Sequence, residues 1–242
     1  MNYPYDLHIH SCLSPCGDDD MTPADIVALS AMFGLHYVAL TDHNSCKNCP
    51  ALFAAAEALA ASDGIVPIAG AEVTTAEEIH AVCLFPALAA AMEFDDVLYN
   101  ALPPVTNNED MFGRQIITDS GGAEVGTEQK LLISATSIGI YDLAALVAGY
   151  GGVMFPAHIE RAAFSLISQL GVVPGDCGFS TVEIRSKAAT DNLKSVHAYL
   201  NKCHILYNSD AHSLDKISPG EEKLDLPGGT VGDLFDFIRN AV

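Results

Sequence analysis

Short apolar runs alternate with helix-like segments along most of the chain. The runs show little internal alternation of apolar and polar residues, as expected for strands covered on both faces. They predict strands at 6–10, 37–41, 65–71, 80–85, 152–155, 181–184 and 204–208. Apolar residues at helical spacing predict helices at 23–33, 51–61, 87–98, 141–148, 162–170, 192–200 and 231–238. Strands that alternate with helices in this way predict β/α units around a parallel sheet.

One segment interrupts this alternation. Residues 103–126 are polar and have no clean period. The segment is too short to bury a core of its own, so it is interpreted as an inserted excursion or lid rather than a domain. The length of 242 residues then favours one domain over residues 1–242.

Histidines and acids lie at the predicted strand ends. On an extended strand His8 and His10 share one face, a pattern that by itself also fits a polar face on an edge strand. The other strand-end residues are Asp42, His43, Glu72, His158, Asp210 and His212, whereas His80 begins its strand. Because the carboxyl ends of parallel strands meet at one rim, most of these side chains are expected to converge there.

A cluster of imidazoles and carboxylates has the chemistry of a metal centre. Zinc, manganese and divalent iron all accept these ligands, and their number indicates more than one ion. Paired ions suit hydrolysis of a phosphate ester, because they activate water and stabilise a leaving oxygen. The sequence contains neither a serine nucleophile elbow nor a Gly-rich phosphate loop.

The set of motifs resembles the PHP (polymerase and histidinol phosphatase) family. The motifs are Asp6-Leu-His-Ile-His10, Thr41-Asp-His-Asn44, Gly70-Ala-Glu72, His80, Ala157-His158 and Ser209-Asp-Ala-His212. The resemblance covers nearly the whole chain and is strongest to the stand-alone metal-dependent phosphoesterases. It implies a distorted seven-stranded β/α barrel that binds two to three divalent ions, zinc, manganese or iron, and hydrolyses phosphoesters.

The resemblance also assigns ligands. It implies one ion held by His8, His10, Glu72 and Asp210, a second held by Glu72, His80 and His158, and a third held by His43 and His212. It implies a reactive metal-bound water held by Glu72 and Asp210. The family places a further ligand shortly after the first two histidines; counting back from Pro23 selects Asp18, with Cys16, Asp19 and Asp20 as alternatives.

The charge balance bears on the substrate. There are 11 Lys and Arg residues against 31 Asp and Glu, a formal charge of −20, so the expected partner is a small phosphorylated molecule and not a long nucleic acid. Arg161 and Arg185 are placed to bind phosphate near the rim, because guanidinium contacts phosphate in a bidentate manner. Surface ion pairing is the alternative role for both.

Cysteines and apolar stretches indicate the compartment. Seven cysteines favour reduced thiols over a disulfide framework; alternatively Cys12, Cys16, Cys46 and Cys49 bind a structural zinc or iron, or form a redox pair. No apolar run is long enough to span a membrane, and the N-terminus lacks the features of a signal peptide, so a cytoplasmic location is expected. The sequence leaves the oligomeric state open.

The sequence therefore predicts a metal-dependent phosphoesterase that acts on a small phosphomonoester or nucleotide. A histidinol-phosphatase-like enzyme is the nearest alternative, and a phosphodiesterase or exonuclease is a further one. A metal-binding regulatory module without turnover is the alternative outside enzymes.

Overall fold

The structure, a computed structural model, describes residues 1–59 and 64–241. The strands are β1 (Asn2–Ile9), β2 (Tyr37–Leu40), β3 (Val66–Thr74), β4 (His80–Phe85), β5 (Ile116–Thr118), β6 (Glu124–Thr127), β7 (Val153–Pro156), β8 (Thr181–Glu183), β9 (His204–Leu206) and β10 (Lys223–Asp225). The α-helices are α1 (Pro23–Met32), α2 (Cys49–Leu59), α3 (Leu88–Ala101), α4 (Glu109–Phe112), α5 (Ile140–Gly149), α6 (Leu166–Leu170), α7 (Thr190–Val196) and α8 (Val231–Arg239). Short 3₁₀ helices follow at Lys187–Ala189, Ala198–Lys202 and Leu214–Lys216.

All seven predicted strands form, but two predicted helices are shorter than expected. The segment 162–170 is helical only in α6, and the segment 192–200 ends as an α-helix at Val196 before a 3₁₀ turn. The prediction for 51–61 is confirmed as far as Leu59, since residues 60 and 61 lie outside the described part of the chain.

The main sheet has six strands in the order β10-β1-β2-β3-β4-β7. Strands β1, β2 and β3 are parallel, but β4 is antiparallel to both β3 and β7, so the expectation of a purely parallel sheet is wrong. The reversed direction of β4 has a clear consequence. It brings His80, at the start of β4, opposite Thr74 at the end of β3, and thus to the rim formed by the other strand ends.

Strands β8 and β9 form a separate parallel pair that extends the curl of the sheet. Ile159, after β7, donates its backbone N–H to the Glu183 carbonyl at 3.0 Å, and Ile9 forms a parallel bridge with Ala211 beyond β9. Strand β10 already pairs with the first half of β1, from Asn2 to Pro4. The mixed α/β class is therefore confirmed, but the continuous seven-stranded ladder is not shown.

Two apolar clusters cover the two faces of the sheet. One includes Leu40 and Phe94 and packs the sheet against the helices, whereas the other includes Leu7 and Phe155 and contains buried residues of α8. With both faces covered, all four residues of β2 are buried. The strands are thus fixed on both sides, and this rigidity positions the side chains at their ends.

The polar excursion folds into α4 and the β5–β6 hairpin. Ile116 donates its N–H to the Cys12 carbonyl at 2.8 Å, and Asn48 Nδ2 donates to the Ile116 carbonyl at 3.0 Å. The hairpin therefore packs on the loop that follows β1. Its role as a lid, and the single-domain organisation, stay predictions.

Within residues 1–59 and 64–241, no helix combines the length and the apolar character that crossing a membrane requires.

Candidate metal centre

Glu72, near the end of β3, lies at the centre of the site. Its carboxylate oxygens lie 3.0–3.4 Å from ring nitrogens of five histidines, and only 1% of the residue is exposed. The five histidines are His8, His10, His43, His80 and His158. Although burial alone would raise the pKa of Glu72, the surrounding imidazoles outweigh burial and hold it well below its usual value. Glu72 is therefore a buried anion surrounded by imidazoles.

Asp210 forms the second acidic side of the cluster. Its Oδ1 atom lies 3.4 Å from His8 Nε2 and 3.5 Å from His10 Nε2, and the His212 ring stacks on His10 at a centroid distance of 4.2 Å. Burial opposes ionisation of Asp210, but His8 and His10 outweigh it and lower the pKa. The structure thus brings together eight of the nine histidine and acid positions predicted from the sequence.

The backbone is strained where it enters this cluster. Asn44, His158 and Asp210 all have positive φ angles, of 48°, 30° and 52°. Residues other than glycine adopt this region at a cost, and such strain is concentrated at functional sites. The strained positions follow β2, β7 and β9, where the chain turns polar side chains toward the rim.

Hydrogen bonds outside the cluster fix the orientation of two rings. Glu183 accepts from His8 Nδ1 at 3.0 Å and also from the backbone N–H of His158. Ser14 donates its hydroxyl proton to Asp42 and so accepts from His10 Nδ1 at 3.0 Å. Because both Nδ1 atoms act as donors, the Nε2 atoms of His8 and His10 face Glu72 and Asp210, where they carry a proton when the ring is charged and offer a lone pair to a cation once that proton is lost.

Several buried atoms of the cluster lie close to one another, but make no hydrogen bond of acceptable geometry within the described residues. They are His43 Nδ1, His80 Nδ1, His158 Nδ1, Glu72 Oε2 and Asp210 Oδ1. A buried polar atom without a partner costs about 1–3 kcal/mol, so this many in one place requires an explanation. Three groups of donor atoms lie within 4.8 Å of one another: His10, His43 and His212; His8, His10 and Glu72; and His43, Glu72 and His80. The donor set therefore fits divalent cations.

The cluster opens into a cavity of about 220 Å³. Its lining consists of Cys16, His43, Glu72, His80, Ile133, Arg161, Phe164, Asp210 and His212. The guanidinium of Arg161 lies 3.8 Å from Asp210 Oδ2, with 40% of the side chain exposed. A cationic side chain therefore stands beside the acids, with room to contact an anion.

Two predicted residues lie elsewhere. Asp18 is exposed and does not line the cavity; its backbone N–H donates to the His212 carbonyl at 2.9 Å. Arg185 is exposed and lines a separate surface cavity with Lys187 and Lys216. The structure thus brings Arg161 to the metal cluster but neither Asp18 nor Arg185.

Two cavity residues were not predicted. Phe164 has a φ of 54° and its ring stacks on His80 at 5.0 Å, whereas Ile133 follows the hairpin insertion. Phe164 sits in a segment whose apolar spacing predicts a helix, so no sequence signal distinguished it from a core residue.

The proposed four-thiol site does not form. Cys12, Cys46 and Cys49 are buried, whereas Cys16 is exposed, and no group of donors identified in the described part of the chain contains these cysteines. All seven cysteines are free thiols, as expected for a reduced protein.

Comparison with known proteins identifies the fold. The sequence profile of the PHP domain matches residues 6–163. The lesion-specific endonuclease PfuEndoQ from Pyrococcus furiosus superposes with a TM-score of 0.67 at 18% identity, over 99% of this chain and 56% of that one. A protein described as a putative metal-dependent phosphoesterase from Bifidobacterium adolescentis superposes with a TM-score of 0.61 at 18% identity, over 97% of this chain and 96% of that one. No curated protein matches the sequence significantly.

A third structure corrects the expectation about nucleic acids. Endonuclease Q in complex with a 27-mer duplex substrate, with an abasic lesion at the active site, superposes with a TM-score of 0.59 at 17% identity, over 98% of this chain and 56% of that one. The chain thus spans little more than half the length of the endonuclease Q chains. Excluding long nucleic acids on net charge was wrong, because a protein with this fold binds duplex DNA. Net charge sums over the whole surface and does not describe the surface around one site.

Proposed function

Because this chain belongs to the PHP domain family, we propose that it is a metal-dependent phosphoesterase that hydrolyses phosphoesters by means of an activated water. The main support is the arrangement around Glu72, where five imidazoles meet one buried carboxylate and several donor atoms lack partners. A merely structural polar core would satisfy these atoms within the protein.

The donor set can be divided among two or three ions. We assign His8, His10, Glu72 and Asp210 to one ion, Glu72, His80 and His158 to a second, and His43 and His212 to a third. Zinc, manganese and divalent iron are the candidates, since each accepts nitrogen and carboxylate ligands. When bound, such ions would supply Lewis acidity to the phosphoryl group and lower the pKa of a water molecule.

The protein's own side chains prepare the site for this chemistry. Glu183 and Ser14 hold His8 and His10 in the tautomer whose Nε2 atoms face the acids. Phe164 and Ile133 form an apolar wall beside the ligands, which limits competing water. The volume of about 220 Å³ suits a phosphate group with a small substituent, and we propose a phosphomonoester or nucleotide as substrate.

Metal reconstitution tests this function. After chelation, we expect hydrolysis to disappear and to return with zinc, manganese or iron(II) supplied one at a time. The panel contains an aryl phosphate, a nucleotide, histidinol phosphate and a DNA duplex with an abasic site, so that it also tests a histidinol-phosphatase-like and a nuclease activity. A chain that binds its ions fully but hydrolyses none of these would instead be a non-catalytic metal-binding module.

Arg161 is proposed to bind the phosphate. Replacing it by alanine removes a charge-assisted contact worth roughly 1.5–3 kcal/mol, so kcat/KM for a small phosphoester should fall by about 10-fold to 100-fold. Arg161→Lys should recover part of the loss, because it retains the charge but not the bidentate geometry. Metal content, measured by plasma mass spectrometry, should stay unchanged in both variants.

Arg185→Ala is the matched control, since Arg185 lines a different cavity. We expect it to leave kcat/KM for the small ester unchanged. An equal loss in both arginine variants would contradict the separate role of Arg161 and restore the sequence-based assignment of Arg185 to the substrate.

A further inference from the structure

The loop after β1 carries a thiol to the mouth of the metal cavity. This loop is a tight double turn, in which Ser14 donates its N–H to the Ser11 carbonyl at 3.0 Å and Gly17 donates to the Ser14 carbonyl at 2.9 Å. A Cβ atom at position 17 would lie 2.5 Å from the Ser11 carbonyl oxygen, so only glycine fits there. The turn therefore has a fixed path, and Cys16 stands at its exposed side, lining the cavity.

Cys16 shares its cavity with two histidines of the cluster. It lines the same cavity as His43. His43 is 5% exposed, and its Nδ1 atom has no hydrogen-bond partner in the described structure. His212 lines the same cavity, and its carbonyl accepts the backbone N–H of Asp18, which ties the Cys16 loop to the His212 loop.

The neighbouring acids are poorly placed to complete this ligand set. Asp18, Asp19 and Asp20 are all exposed, and within the described residues none of them lines the cavity. Cys12 is buried on the other side of the loop, with its thiol directed to the Ile116 carbonyl. Of the cysteines and acids in this loop, Cys16 alone lines the cavity that His43 and His212 also line.

We propose that Cys16 is a thiolate ligand of the ion held by His43 and His212. This inference rests on the proposed metal centre and specifies its third ion. Two imidazoles and one thiolate form a softer donor set than imidazoles with a carboxylate, so this position should favour zinc, iron(II) or cobalt(II) over manganese and magnesium. Ligation releases the thiol proton to solvent, because only the deprotonated sulfur binds a metal.

Cobalt(II) provides a direct spectroscopic test. A cobalt-bound thiolate gives a sulfur-to-metal charge-transfer absorption in the near ultraviolet, which imidazole and carboxylate ligands do not give. Titration of the chelated chain with cobalt should produce this band in the wild type and lose it in Cys16→Ser. The serine variant should also retain one ion fewer per chain after dialysis, as measured by plasma mass spectrometry.

Two further variants keep the result interpretable. Cys16→Asp should restore the ion count without the absorption band, and should shift the preference of that ion toward manganese. Cys177→Ser changes a buried thiol that does not line this cavity and should leave both band and ion count as in the wild type. Circular dichroism checks that each variant is folded.

The outcomes separate this inference from the proposed function. If the cobalt-loaded wild type hydrolyses the ester but lacks the absorption band, Cys16 is not a ligand. The same conclusion follows if the band persists in folded Cys16→Ser. Neither result would contradict the proposed phosphoesterase activity. A Cys16-dependent band without hydrolysis of any ester would support the ligand and contradict the enzyme. A chain that binds no cobalt would contradict both.

Discussion

Glu72→Gln is expected to abolish metal-dependent hydrolysis, with a fall in kcat/KM of at least about 1,000-fold, which corresponds to roughly 4 kcal/mol of transition-state stabilisation. The same variant should lose bound metal. Its effect is expected to be the largest of any single substitution in the centre, because Glu72 contacts more of the proposed ligands than any other acid described there.

The size of this effect follows from the chemistry of the amide. A carboxylate presents two anionic oxygens, whereas glutamine presents one neutral oxygen and an NH₂ group that cannot bind a cation. Glu72 Oε1 faces His8, His80 and His158, and Oε2 faces His10 and His43. Glutamine therefore retains at most one of the two oxygen atoms that are proposed to bind cations. It also removes the negative charge that offsets two cations.

The measurements are metal content after dialysis and steady-state hydrolysis of a small phosphoester. Glu57→Gln is the matched control, since it makes the same chemical change at an exposed position of α2. It should keep both properties of the wild type. A folded Glu72→Gln chain with unaltered metal content would contradict the bridging role, whatever its activity.

The sequence was sufficient to place most of the cluster because its proposed ligands lie at strand ends. His8 and His10 alternate on β1, and Glu72, His158 and Asp210 each lie near the point where a buried strand ends. Strand ends are set by local apolar patterns, which a single sequence shows clearly. Their convergence then requires only that the strands belong to one curved sheet.

The direction of β4 could not be predicted in the same way. A short buried run of apolar residues has the same hydrophobic pattern whether the strand is parallel or antiparallel to its neighbours. Its direction therefore depends on pairing with β3 and β7, which is not visible in the local sequence. The unusual position of His80, at the start of its strand instead of the end, was the available signal. A histidine at the start of an antiparallel strand and acids at the ends of parallel strands reach the same rim.

The cavity residues outside the strands were the hardest to predict. Cys16 and Asp18 are two positions apart in one irregular loop, and counting along the sequence cannot show which side chain turns inward. The structure shows that Cys16 lines the cavity and Asp18 does not, which depends on the three-dimensional path of the loop. Phe164 itself has a positive φ and lies in a bend, which replaces the first part of a predicted helix.

The chelated protein is expected to lose stability steeply as the pH rises from 6.5 to 9. Burial opposes charge on His10, but Asp210 and Glu72 outweigh it and raise the pKa to about 9. Burial likewise opposes charge on His43, and Cys16 and Glu72 raise the pKa to about 9. Without metal, protons on these imidazoles therefore compensate the buried acids.

The sign of the effect follows from proton linkage. An imidazole with a pKa of about 6.5 when unfolded and about 9 when folded binds its proton more tightly in the folded chain. Its stabilisation is complete below pH 6.5 and is lost as the pH rises to 9, on the order of 3 kcal/mol for each imidazole. Bound cations should reverse this trend, because they replace the protons and bind better as the pH rises.

Thermal or urea unfolding at pH 6.5 and pH 9, with chelator and then with zinc, measures both trends. In chelator Tm should fall over this interval, and with zinc it should hold or rise. His43→Gln should reduce the loss in chelator, since it removes one of the protonated rings from the cluster, whereas His197→Gln, outside the cluster, should not. A Tm in chelator that is flat between pH 6.5 and 9 would contradict the role of protonated histidines as the counter-charges of Glu72 and Asp210 in the metal-free centre.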